Sequence, residues 1–151
     1  MSARKQSHAE ELERSYQDGE VIVEEGDGSR DMFVIQSGSV RITKRIAERV
    51  VELATLRRGD FFGEMSLLES LPRDASAHAI GETHLLVISA GALLVRMRRD
   101  PTFAFEMLQR LSGRVRKLNA RVVQLIESAG DGSAEPATMM YAPASVDEGD
   151  R

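Results

Sequence analysis

Between Tyr16 and Ser89 the apolar residues come in short runs closed by glycine or a Gly-Asp pair. Val21 to Val23 precedes Gly26-Asp27, Met32 to Ile35 precedes Gly38, Val50 to Leu56 precedes Gly59-Asp60, and Ala75 to Ile80 precedes Gly81, with Leu85 to Ser89 last. Runs this short do not build a helix face, whereas alternation such as that of Val40 and Ile42 suits strands that bury one side. Glycine closes each run because it reaches positive φ without a steric penalty. The expected fold is mainly β, an antiparallel, jelly-roll-like β-roll over 16–89 with flanking helices. The segment Arg45 to Arg49 joins two strands without Gly, Asn or Pro, so an irregular tip is expected there.

After Ser89 the period becomes helical. Leu93, Leu94 and Met97 mark a short amphipathic helix, and Asp100-Pro101 places a capping residue before a proline at the first helical position of a longer one. In that longer helix Leu108, Leu111, Val115, Leu118, Val122 and Leu125 recur at steps of three and four, a heptad seam with β-branched residues and Leu in the order that favours a parallel two-stranded coil. A homodimer through this helix is expected, the alternative being a helix packed on its own roll. Ser112 and Asn119 at the e positions give Arg114 and Arg121 no ion-pair partner to fix that pairing, and Gly113 marks a bend or a close packing.

The ends differ from this core. Ser7 to Glu10 reads as a capping box opening a short polar helix towards Arg14, so 1–15 is expected to be a helical appendage. Residues 129–151 are Gly, Ala, Ser, Pro and acids, which predicts a disordered tail with one apolar cluster, Met139-Met140-Tyr141. The middle, 16–128, is one domain, as 151 residues with 42% hydrophobic composition allow one good core. The net charge of −4 is carried by the tail, where Asp131, Glu135, Asp147, Glu148 and Asp150 face Arg151 alone. A chain so charged does not bind nucleic acid by bulk electrostatics. The lack of cysteine, of a secretory leader and of a membrane-length apolar run fits a cytoplasmic location away from the membrane.

The chemistry concentrates between Phe62 and Ser76. Gly63 lets the backbone approach a ligand, and a helix starting after it would point the N–H groups of Met65 and Ser66 at an anion. Arg73 offers a planar fork that grips two phosphate oxygens at once. Glu64, repelled by a phosphate, needs a donor to face, and the free 2′-hydroxyl of a 3′,5′-cyclic nucleotide is one. An enzyme is not expected. A roll can also carry a catalytic metal, as cupins do, but the three histidines His8, His78 and His84 form no His-x-His pair, and no nucleophile has a base partner.

With Gly19-Glu20, Glu25-Gly26-Asp27, Gly38, Gly59 to Glu64 and Pro72-Arg73-x-Ala75-Ser76 in order, the chain resembles, from about Tyr16 to Leu125, the cyclic-nucleotide-binding domain family of bacterial cAMP receptor proteins, protein kinase A regulatory subunits and cyclic-nucleotide-gated channels. The resemblance implies that Glu64 holds the ribose 2′-hydroxyl and Arg73 the phosphate, with Phe62, Gly63, Met65, Ser66, Asp74, Ala75 and Ser76 lining the pocket. It also implies that Ile42 and Leu53 wall the purine, and that Asn119 and Arg114 on the long helix read the base. Asp74 departs from the usual Ala, Ser or Thr. An acid there weakens phosphate binding unless it turns to solvent or pairs with a cation, and the missing Thr disfavours cGMP against cAMP. The tail has no periodicity for a helix-turn-helix, so DNA binding is not expected unless the chain is a truncated transcription factor. The resulting expectation is a stand-alone cAMP-binding regulatory module read by a separate, unidentified effector protein, the alternative being a ligand-free scaffold.

Overall fold

The computed structural model describes residues 11–130, in two compact units, one ending at Ala104 and the other beginning at Phe105. The first holds a six-stranded sheet of β1 (Leu12–Tyr16), β2 (Val21–Val23), β3 (Met32–Ile46), β4 (Arg49–Arg57), β5 (Phe61–Phe62) and β6 (Ser76–Ile88). Its order is β1-β6-β3-β4, with β2 on β6 and β5 on β3, and every pairing is antiparallel. The mainly β architecture with a short and a long C-terminal helix is as the sequence predicts.

Alternation sets the core. On β6, Ala77, Ala79, Thr83, Leu85 and Val87 are buried, and the register lays Val87 on Phe33, Leu85 on Ile35 and Ala79 on Val40 of β3. Val23 and Phe62 complete this cluster, and Tyr16, Ile22, Ile42 and Leu56 pack against it. Each large aliphatic or aromatic side chain so buried contributes about 1.5–3 kcal/mol. The β3–β6 register shifts on both sides of Ser37, next to Gly38. Gly38 has φ 84, and a Cβ there would lie 2.5 Å from the Glu82 carbonyl and 2.6 Å from Thr83 Oγ1. Only glycine lets the two strands approach at this kink, and the buried Thr83 hydroxyl donates to the Ser39 carbonyl at 3.1 Å.

Two local expectations are corrected. Leu12 to Arg14 is not helical: the segment is strand β1, paired from Leu12↔Val87 to Tyr16↔Thr83, because β6 presents a free ladder edge that satisfies more backbone groups than one polar helical turn would. The capping box Ser7 to Glu10 lies outside the described residues. Nor is the β3–β4 tip irregular. Ile46 pairs with Arg49, leaving the two-residue turn Ala47-Glu48 with both residues at positive φ, 48 and 66. The strand twist demands such a turn even though neither residue favours it.

The helices begin where their caps predict. In α2 (Ala90–Arg99) the Ser89 hydroxyl accepts from the Ala92 amide at 3.2 Å, and ahead of α3 (Pro101–Ala129) the Asp100 carboxylate accepts from the Phe103 amide at 3.2 Å. Arg96 holds α2 in the first unit through contacts of 2.7 and 2.8 Å to the Glu11 carboxylate, with its guanidinium 4.5 Å from the Phe103 ring centre. α3 runs without interruption through Gly113, and nothing lies within 4 Å of a Cβ built there. Leu108, Leu118 and Leu125 of the seam are 63%, 61% and 64% exposed, Val115 is exposed, and Leu111 and Val122 are half-buried. The tail from 131 onward, with Met139-Met140-Tyr141, lies outside the described residues.

Candidate functional site

The site grows from the end of β5. Phe62 pairs with Phe33, and their rings stack at 4.9 Å. At Gly63 the backbone turns at φ 83 and becomes the N-cap of α1 (Glu64–Glu69). No side chain caps this end. Its first intrahelical bond runs from the Leu67 amide to the Gly63 carbonyl at 3.3 Å, so the amides of Met65 and Ser66 precede the helix's own hydrogen bonding.

Arg73 lies behind this turn and is only 4% exposed. Its backbone is fixed to the Gly26-Asp27 turn, with the Arg73 amide on the Asp27 carbonyl and the Gly26 amide on the Arg73 carbonyl, both at 2.8 Å. Its side chain is held as firmly. Nε donates to Ser29 Oγ at 3.1 Å, Nη1 to the Gly63 carbonyl at 3.1 Å and Nη2 to the Asp31 carbonyl at 2.6 Å, and the guanidinium carbon sits 5.6 Å from the Phe33 ring centre. A guanidinium has five N–H groups, so by count these three bonds leave one on each terminal nitrogen for a further acceptor. Burial holds its pKa below the usual arginine value, against the pull of the Asp31, Asp27 and Glu64 carboxylates.

Asp74 is paired with a cation. Lys44 Nζ, from β3, donates to the Asp74 carbonyl at 2.7 Å and to its carboxylate at 2.9 Å, and lies 3.7 Å from the Glu25 carboxylate. The hydrogen bond to Asp74, more than any other interaction, holds the Lys44 ammonium above its ordinary pKa. Glu25 continues the network: its other carboxylate oxygen accepts from the Arg45 amide at 3.0 Å, and its own amide donates to Ser76 Oγ at 2.9 Å.

A buried arginine beside an uncapped helix start, reached from a Gly-Glu turn, is chemically suited to an anion. A model of the cyclic nucleotide-binding domain family matches residues 13–100. The chain belongs to that family. The cyclic AMP receptor protein of Thermus thermophilus is 35% identical over 105 residues, covering 69% of this chain and 49% of the receptor. A cAMP-dependent protein kinase regulatory subunit of Mycosarcoma maydis is 42% identical over 72 residues, covering 46% of this chain and 13% of that one. The crystal structure of the T. thermophilus catabolite activator protein matches with a TM-score of 0.68 at 33% identity, over 76% of this chain and 55% of the other. The chain thus spans about half the length of the T. thermophilus receptor and far less of the kinase subunit.

As a cyclic nucleotide-binding domain, the first unit places three of the sequence-predicted residues on one concavity. Met65, Arg73 and Asp74 line one open concavity of about 310 Å³ with Leu71 and Pro72. Phe62 and Ser66 are buried, and Gly63, Glu64, Ala75 and Ser76 are half-buried around it in sequence. Ile42 packs against the core. Leu53 is 40% exposed at a bulge, where Ile42 pairs with Ala54 and Thr43 with Glu52. Arg114 and Asn119, both half-buried, belong to the second unit. Sequence reasoning missed Ser29, the Asp31 carbonyl and Lys44, and named Glu25 only as part of the Glu25-Gly26-Asp27 motif. Only Lys44 had a signal, the need of Asp74 for a counter-charge. Among the described residues no three metal-ligating side chains cluster, and no described helix is long and apolar enough to cross a membrane.

Proposed function

We propose that the chain is a regulatory module that binds cAMP. The observation that carries this reading is the buried Arg73 guanidinium, held on the Gly63 and Asp31 carbonyls beside the uncapped start of α1. In the reading, Arg73 and the Met65 and Ser66 amides hold the cyclic phosphate, with Ala75 and Ser76 lining its pocket. Glu64 accepts from the ribose 2′-hydroxyl, Ile42 and Leu53 face the purine, and Asn119 and Arg114 read it. The names of the T. thermophilus receptor and the M. maydis subunit support cAMP over cGMP, as does the absence of a hydroxyl at Asp74.

The output in this proposal is conformational. The nucleotide favours one arrangement of α2 and α3 because it binds that arrangement better, the exposed seam of α3 pairs two copies, and a separate protein in the cytoplasm reads the change. The module catalyses nothing itself and binds neither DNA nor membrane.

Comparing cAMP with 2′-deoxy-cAMP on the wild type and on Glu64→Ala tests the assignment of roles. Removing either the hydroxyl or the carboxylate is expected to weaken binding about 10- to 100-fold, and removing both to weaken it no further. Saturable binding that ignores both changes rejects the role of Glu64, and no binding of cAMP or cGMP to the wild type leaves the ligand-free scaffold.

A further inference from the structure

We infer that Lys44 is a positioning residue of the nucleotide site, which it opens to an anion by neutralising Asp74; this rests on the proposed cAMP reading. Asp74 follows the buried Arg73 directly and lines the same concavity as Arg73 and Met65. A carboxylate at that place repels a phosphate entering beside it, by an energy that grows as water is displaced from between them. Lys44, on β3, offsets this charge. Its ammonium makes two hydrogen bonds to one residue, at 2.7 Å to the Asp74 carbonyl and 2.9 Å to the carboxylate, while the neighbouring Glu25 carboxylate stands 3.7 Å away.

The arrangement does more than balance charge. Both hydrogen bonds of the ammonium go to Asp74, and Lys44 thereby acts through that residue rather than on the phosphate. Its bond to the Asp74 carbonyl ties the middle of Arg73 to Ser76 to β3, and the Glu25 amide on Ser76 Oγ at 2.9 Å ties down its end. An acid at this position is therefore tolerated because Lys44 stands opposite it, and the two residues form one functional unit.

A double-mutant cycle in the whole chain, read by cAMP titration at low and moderate salt, tests this. Lys44→Met is expected to lower affinity at least about tenfold at low salt and less at moderate salt. Asp74→Asn in the Lys44→Met background is expected to return affinity to within about threefold of wild type, and Lys44→Arg to keep it. The pair is partly solvent-exposed, with side chains 31% and 67% accessible, so both proteins should fold; Lys44→Gln replaces Lys44→Met if the latter does not. An unrescued double variant shows that Lys44 does not act by neutralising the Asp74 carboxylate and overturns the inference. So does a Lys44→Met protein that binds like wild type. Absence of any cAMP binding by the wild type instead overturns the underlying reading, a result that the variants cannot mimic.

Discussion

Arg73 Nη1 donates to the Gly63 carbonyl at 3.1 Å, while a Cβ on Gly63 would lie 2.8 Å from that same nitrogen and 2.8 Å from the Asp31 carbonyl. The glycine and the arginine therefore require each other: the turn is left-handed at φ 83, and the space beneath it is filled by the guanidinium. Gly63→Ala strains the turn and collides with backbone as well as side chain. The expected loss is about 2–4 kcal/mol of stability, with cAMP affinity falling at least about 100-fold as Arg73 is displaced. Thermal denaturation with titration of the same sample checks both, and wild-type affinity in the alanine variant would contradict the coupling.

The Ala47-Glu48 turn predicts a gain. Two residues with side chains sit at positive φ where Asn-Gly is preferred, each with an αL penalty of about 1–2 kcal/mol. Ala47→Asn with Glu48→Gly should raise stability by about 1 kcal/mol once the greater flexibility of unfolded glycine is offset. Chemical denaturation should show a higher midpoint at unchanged slope. A lower midpoint would mean that these side chains make a contribution the turn geometry does not reveal.

On α3, Gly113 is a helical residue with open space beside it. Gly113→Ala is expected to stabilise the chain by about 1 kcal/mol. If the exposed seam pairs two copies, Leu118→Glu dissociates them, because Leu118 at 61% exposure in the single chain becomes buried in the pair. Sedimentation equilibrium at tens of micromolar checks this. A wild type that is monomeric there would remove the coil from the proposed function, and a Gly113→Ala variant that loses only its dimer would show that the glycine serves close approach between helices.

Much of the fold and the centre of the candidate site were legible in the sequence, for reasons visible in particular residues. Gly38 and Gly63 marked turns because positive φ and close backbone contacts together leave no place for a Cβ, and Ser89 and Asp100 marked helix starts because each side chain satisfies an amide of its own helix. These are local effects. The errors arose where a partner distant in sequence decides. Leu12 to Arg14 has no strand signal of its own and becomes β1 because β6 offers its edge, and the Ala47-Glu48 turn is imposed by the ladder that ends at Ile46 and Arg49. Lys44 stayed hidden for the same reason: it is 30 residues from Asp74 in sequence, and only the folded sheet brings them together.

Titration calorimetry of the wild type and Arg73→Lys with cAMP tests the central claim most directly. The account predicts saturable one-site binding by the wild type and, because a lysine is a point charge without the planar fork that spans the Gly63 and Asp31 carbonyls, affinity lower by about 100-fold or more in a variant that remains folded. No heat from the wild type with cAMP, or equal affinities in the two proteins, would contradict it.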